Sequence, residues 1–205
     1  MKLVFASNNA HKLSEVRAIM PAGVEVLSLR DIGFVQEIDE TGTTLAQNSL
    51  IKAQAVMDFV NDQTLKDVDG VFADDTGLEI DALNGEPGVY TARWAERETG
   101  IHLPEMETYA ANRAKALREL DGKENRGCQF KTVITLIYTR TLAVTQVEGI
   151  VRGEITPVEH GIGGFGYDPV FKPEGFDKTF GELPPEIKNT ISHRARALQA
   201  LIEKL

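Results

Sequence analysis

The 205 residues, 42% of them hydrophobic and 26% charged, suffice to bury a sizeable core in one large domain, 1–205, or in two lobes that share it. The formal net charge of -9 argues against broad binding to nucleic acid or an anionic membrane surface, which need a basic face, but leaves room for a small anionic ligand. No apolar run is long enough to cross a bilayer, MKLVFASNN is too short in its apolar part for a secretion signal, and the single Cys128 allows neither an internal disulfide nor a multi-cysteine zinc site, so a cytoplasmic protein is expected.

In chain order, KLVFAS reads as a first strand that stops at Ser7, Asn8 and Asn9. AHKLSEVRAIMP places Leu13, Val16 and Ile19 or Met20 at helical spacing, with Asn8 or Asn9 as the cap and Pro21 as the stop. VEVLSL reads as a second strand. DETGTTLAQNSLIKAQAVMDFV holds a turn and then a helix, in which Thr44 and Gln47 fit a capping box. The polar stretch LKDVDG leads into an apolar strand, GVFADDTG, and GLEIDALNG reads as extended chain before the turn NGEPG. LPEMETYAANRAKALREL is a helix with Pro104 near its start. CQFKTVITLIYT and LAVTQVEGIVRGEIT are long, β-branched and joined by a tight RT connection, which predicts an antiparallel hairpin. ISHRARALQALIEKL is an amphipathic last helix. The fold class is α/β: a mixed β-sheet flanked by helices, in two lobes.

Four stretches carry chemistry. A polar turn entering a helix, SNNAHK, presents free N–H groups to an anion, and Lys12 there opposes the helix dipole unless an anion answers it. GIGGFGYDPVF contains the spacing G-x-G-x-x-G at Gly161, Gly163 and Gly166, but Asp168–Pro169 follows instead of a helix, so the dinucleotide reading fails. A glycine loop presenting Phe165, Tyr167 and Asp168, with an aromatic face for a nucleobase, fits better. SHRARAL sets Ser192, His193 and Arg194 at a helix start with Lys188 just ahead, a donor-rich cluster suited to carbonyl or phosphate oxygens. The acids Asp39, Glu40, Asp74 and Asp75, without a His or Cys cluster, favour Mg2+ over zinc. Asp74 and Asp75 raise a question of their own. Two charges about 4 Å apart repel by roughly 4 kcal/mol at an effective dielectric near 20, so a cation, a proton or water must offset them. Lys52, beside apolar Ile51 and Ala53, is placed to reach inward, whereas Cys128 and Trp94 read as core residues.

These segments occur in register over nearly the whole chain: SNNAHKLSEV, DETGTTLAQNSLIKA, FADDTGLEIDALNGEPGVYTARWA, GGFGYDPVF and ISHRARAL. Together they closely resemble the inosine/xanthosine triphosphate pyrophosphatase family. The resemblance implies hydrolysis of ITP, dITP and XTP to the monophosphate and pyrophosphate, an elongated fold with a cleft between two lobes, a Mg2+ cofactor and a homodimer. It implies a triphosphate segment at Ser7, Asn8, Asn9, Ala10, His11 and Lys12, and a phosphate-side Lys52. Asp75 would be proton acceptor and metal-associated acid, with Glu40 as the other metal acid and Thr76 as a substrate contact. Phe165, Gly166, Tyr167 and Asp168 match the base-side loop, and Lys188, His193 and Arg194 the last nucleotide contacts. Asp39 stays open as an alternative to Glu40, and Asp74 as an alternative base. RETGIHLPEMETYAANRAK matches no motif and is assigned no site. On this reading a divalent ion and its polyanionic substrate let the paired aspartates sit together. The rival enzyme is a Maf-type pyrophosphatase acting on pyrimidine or modified nucleotides.

Overall fold

The structure, a computed structural model, describes residues 1–65 and 67–205, so the expected polar stretch LKDVDG is described except for Lys66, which lies outside the described residues. By its contacts the chain divides into two compact units. The first comprises Met1–Asp75, Thr132–Gly149 and His193–Leu205, the second Thr76–Lys131 and Ile150–Ser192.

In the first unit β1 (Lys2–Phe5) pairs in parallel with β2 (Glu25–Leu27) and with the leading part of β3 (Gly70–Ile80). The order continues from β3 to β5 (Gly127–Tyr138) and β6 (Val144–Ile155). Parallel neighbours need crossover connections, and helices α1 (Ala10–Ile19) and α2 (Leu45–Asp62) supply them. Successive strand residues face opposite sides, so the apolar runs of β1 and β3 feed two cores. Leu3, Phe5 and Phe72 pack with Val16 of α1 and with Ala197, Leu198 and Leu201 of α6 (His193–Ile202). Val4, Val71 and Ala73 pack with Ala53, Val56, Met57 and Val60 of α2. One face of the strands thus carries α1 and α6, the other α2.

In the second unit the trailing part of β3 pairs antiparallel with β4 (Pro87–Gly88), and β6 pairs antiparallel with β7 (Phe171–Pro173). Trp94 of α3 (Trp94–Thr99), Ala116 of α4 (Glu105–Glu119) and Leu120 share a core with Leu78, Ile80, Phe130, Tyr167, Phe171 and Phe180. Ile191, the last residue of α5 (Pro185–Ile191), packs against it. Cys128 is part of this core, and burial pushes its thiol far above the usual range. A thiol reagent is therefore expected to label Cys128 only in denaturant; labelling of the native protein at the free-cysteine rate would contradict this packing.

Three local expectations change. The hairpin connection between β5 and β6 is the five-residue stretch 139–143, not the RT pair: Leu142 takes a left-handed turn (φ 55°) and donates its N–H to the Tyr138 carbonyl. The chain after Ile80 does not stay extended but coils into a short 3-10 turn, Asp81–Leu83, closed by left-handed Asn84. The last helix runs from His193 to Ile202 and does not include Ile191, because Ser192 is extended (ψ 161°) and leaves Ile191 as the end of α5.

Candidate active site

Asp74 and Asp75 are neighbours on β3 and therefore project from opposite faces of it. Each face brings its own cations. On the α1 and α6 side, Asp74 accepts from Lys12 Nζ at 2.8 Å and from Arg194 Nε and Nη2 at 3.0 and 2.9 Å. Arg194 also meets Glu15 of α1 through Nη1 at 2.5 Å. On the α2 side, Asp75 Oδ1 accepts from Lys52 Nζ at 3.0 Å, and Glu40 Oε1 lies 3.3 Å from the same nitrogen. The expected mutual repulsion is thus removed first by geometry and then by the protein's own cations. A divalent ion is not required to let the two acids coexist.

The two faces treat their acids differently. Burial alone would raise Asp74, but Lys12 and Arg194 outweigh it and hold its carboxyl well below the usual range. Asp75 is raised, because burial outweighs Lys52 and Lys12, and nearby Glu40 pushes the same way. Lys52 is held charged: burial works against it, and Asp75 and Glu40 prevail. Lys12 is lowered by burial, only partly countered by Asp74. Asp75 Oδ2 is buried and has no hydrogen-bond partner among the described residues. A buried carboxylate with one idle oxygen and a raised pKa is poised to take a proton or a hard cation.

The segment before these acids is set by register. Phe5 of β1 lies beside Phe72 of β3, and Ala6 donates to the Phe72 carbonyl at 2.8 Å, so Ser7, Asn8 and Asn9 leave the strand at the level of the aspartates. Ligands of parallel α/β sheets gather at such strand ends. Asn9 is the cap, its Oδ1 accepting from Lys12 N at 3.0 Å, and Ala10 and His11 form the exposed first turn. The cation that opposes the dipole is answered by Asp74, across from α1, and not by the cap alone.

In the second unit the glycine loop is built around Asp168. Its buried carboxylate accepts from Phe165 N at 2.7 Å and from Lys188 Nζ at 2.6 Å. A side chain at Gly164 would put its Cβ 1.9 Å from Asp168 Oδ2, and the residue's φ is 71°, so glycine is required there. Lys188 Nζ also lies 4.8 Å from the Phe165 ring centroid. Thr76 follows Asp75 on β3 and is partly buried.

Two expected contacts have other duties. Tyr167 lies in the core and donates its hydroxyl to the Thr91 carbonyl at 3.0 Å, instead of facing a ligand. Arg194 is a buried strut between Asp74 and Glu15, because an acid stands on each side of its guanidinium. His193 is buried at the first turn of α6. Between the candidate metal acids, Glu40 and not exposed Asp39 meets Lys52.

Sequence reading overlooked several supports. Glu15 shares a face of α1 with Lys12 at i+3 spacing, but its partner in the structure is Arg194, which that spacing does not reveal. Arg113 and Tyr109 lie in the stretch that matched no motif. Arg113 Nη1 donates to the Gly166 carbonyl at 2.9 Å, and the Tyr109 ring centroid lies 6.1 Å from that of Phe165. Nothing local in YAANR announces a loop more than 50 residues away.

A divalent metal asks for hard oxygens, and Mg2+ uses only one or two carboxylates with waters and substrate phosphates. Glu40 and Asp75, drawn to one lysine, with Asp75 Oδ2 idle, meet that demand. No group of three or more His, Cys, Asp or Glu residues able to hold a metal occurs among the described residues.

The Ham1 family profile matches residues 3–204. A dITP/XTP pyrophosphatase of Flavobacterium johnsoniae is 49% identical over 100% of this chain and 98% of its own length. That of Flavobacterium psychrophilum is 44% identical over 99% of this chain and 98% of its own. The Staphylococcus aureus Ham1 protein superposes with a TM-score of 0.82 at 35% identity, covering 100% of this chain and 97% of that one. A nucleoside-triphosphatase / dITP/XTP pyrophosphatase of Mycobacterium abscessus gives 0.72 at 39% identity, covering 98% of each chain. The match over residues 3–204 and the full-length likeness to these relatives lead to one conclusion: the chain belongs to the Ham1 family.

Proposed function

We propose that this chain hydrolyses non-canonical purine nucleoside triphosphates, dITP, ITP and XTP, to the nucleoside monophosphate and pyrophosphate. The observation that carries the reading is Asp75: buried, raised in pKa, fixed at 3.0 Å from Lys52 and left with an idle oxygen. Its neighbours answer a triphosphate with positive charge, Lys52 from α2 and Lys12 from α1. Water attacks the α-phosphorus, Asp75 Oδ2 takes its proton, the α–β anhydride bond breaks and pyrophosphate leaves with the electron pair. Lys52 keeps Asp75 ionised until that transfer and offsets charge on the phosphates. Glu40 would hold Mg2+, with Asp75 beside it keeping Oδ2 for the proton; when bound, the ion neutralises and orients the triphosphate.

Base selection would fall to the Phe165 ring, which offers an aromatic face to a nucleobase, together with a donor toward the 6-oxo group. Adenine carries an amino donor there and would leave a buried donor unpaired, a mismatch that discriminates strongly. The names of the relatives support this substrate class. A homodimer rests on the family resemblance and a cytoplasmic setting on the amino-acid sequence; no helix among the described residues is long and apolar enough to cross a membrane.

The test is pyrophosphate release from ITP, dITP, XTP, ATP, GTP and a pyrimidine panel, with and without Mg2+. The expected result is Mg2+-dependent turnover with kcat/KM for ITP and XTP at least ~100-fold above ATP, and likewise above GTP, whose shared 6-oxo group requires rejection by a clash at its 2-amino group. Comparable constants for all four purines would refute the base reading, and a preference for pyrimidines would favour the Maf-type alternative.

A further inference from the structure

Lys52 draws its two acids from unlike sources. Asp75 stands on a buried strand, whereas Glu40 lies in the stretch 39–44, which has no regular structure before α2. Something must hold that stretch still if Glu40 is to stay 3.3 Å from Lys52. Three side chains grip it. Gln47 Oε1 accepts from Thr43 N at 2.7 Å, and Thr44 Oγ1 accepts from Gln47 N at 3.2 Å; both contacts are exposed, where water competes. The third grip is buried: Gly42 N donates to Asn48 Oδ1 at 2.8 Å, and Asn48 is 0% exposed.

We propose that Asn48 is a positioning residue for the proposed hydrolysis: by fixing Gly42 it sets Glu40 against Lys52. Asn48 lies one turn before Lys52 on α2, so the clamp and the lysine share one helix face. The approach is as close as backbone allows, since a Cβ at Gly42 would come within 2.6 Å of Asn48 Oδ1 and 2.7 Å of Gln47 Cβ. Asn48 Nδ2 is buried without a partner among the described residues. A buried amide nitrogen left unpaired is costly, so packing alone gives no reason for asparagine at this position. The carboxamide is there for its oxygen.

The experiment compares Asn48→Ala, Asn48→Asp and Gln47→Ala with the parent, using ITP turnover, Mn2+ binding followed by electron paramagnetic resonance, and hydrogen exchange at the Gly42 amide. Asn48→Ala should lower kcat at least ~10-fold, change KM for ITP less than ~3-fold, weaken Mn2+ binding and speed exchange at Gly42. Asn48→Asp, which returns an acceptor to Gly42, should restore slow exchange and much of the Mn2+ affinity. Gln47→Ala should keep kcat within ~2-fold of the parent. The inference is overturned if Asn48→Ala keeps both kcat and Mn2+ affinity, or if Gln47→Ala loses as much as Asn48→Ala. It is equally overturned if Asn48→Ala falls in kcat with unchanged Gly42 exchange. Should the parent hydrolyse no nucleotide at all, the proposed function fails, and Mn2+ binding with Gly42 exchange alone decides the fate of the clamp.

Discussion

Arg194→Ala is expected to lower the unfolding free energy by about 3–5 kcal/mol, the range seen when one partner of a buried ion pair is removed. The guanidinium is 1% exposed and stands between two acids, fully buried Asp74 and partly buried Glu15, both of which lose a charged partner when it goes. Lys12 would still hold Asp74, but Glu15 would lose the arginine that ties α1 to α6. At roughly 2–4 °C per kcal/mol for a chain of this size, the thermal midpoint should fall by about 6–20 °C. Urea unfolding measures this, and a change below about 1 kcal/mol would show that the strut is not structural. The double variant Arg194→Met, Asp74→Asn should be less destabilised than the sum of its single variants, because it removes charge from both sides of the pair. The pH dependence has a definite sign. Asp74 is depressed in the folded protein, so its stabilisation is complete above the unfolded carboxyl value near ~3.9 and is lost as pH falls toward the lower folded value. Asp74→Asn should therefore flatten the stability profile in that acid window.

How much of this was legible beforehand depended on distance along the chain. The first strands and their helices were readable because apolar spacing and caps are local: Asn9 caps α1 and Thr44 caps α2 as the residue types demand. Misreadings arose where backbone geometry decides. Ser192 interrupts a helical pattern that looks continuous from Ile191, since periodicity does not register a single extended residue. The juxtaposition of Asp74 and Asp75 yields to the two-residue period of a strand, which was available from sequence and separates the acids onto two faces. What sequence could not supply were the cations waiting there. Arg194 lies 120 residues from Asp74, and Lys52 and Glu40 meet only because a loop folds back on its helix. The supports of the Phe165 loop were illegible for the same reason, as Arg113 reaches Gly166 across 53 residues.

Asp75→Asn should lower kcat by about 10²–10⁴-fold, the usual contribution of a positioned proton acceptor, while nucleotide still binds. Asparagine keeps the shape of the side chain and an oxygen toward Lys52, but it takes up no proton. The consequence for stability runs opposite to that at Asp74. Burial raises Asp75, so the folded protein holds a proton there more tightly than the unfolded chain does, and ionisation near neutral pH works against folding. Removing that charge relieves the conflict, and Lys52 retains Glu40 as its partner. The unfolding free energy of Asp75→Asn is thus expected to hold within about 1 kcal/mol of the parent or to rise, the behaviour of a residue kept for function at the expense of stability. Asp74→Asn should give the reverse pattern, losing stability because buried Lys12 and Arg194 then face an uncharged amide. Rapid-quench turnover, equilibrium binding of a non-hydrolysable inosine nucleotide and urea unfolding, run on both variants, separate the two roles. Near-normal turnover by Asp75→Asn would remove it from the chemistry. A matching stability loss in both variants would show that the two faces of β3 do not divide the work of folding and catalysis between them.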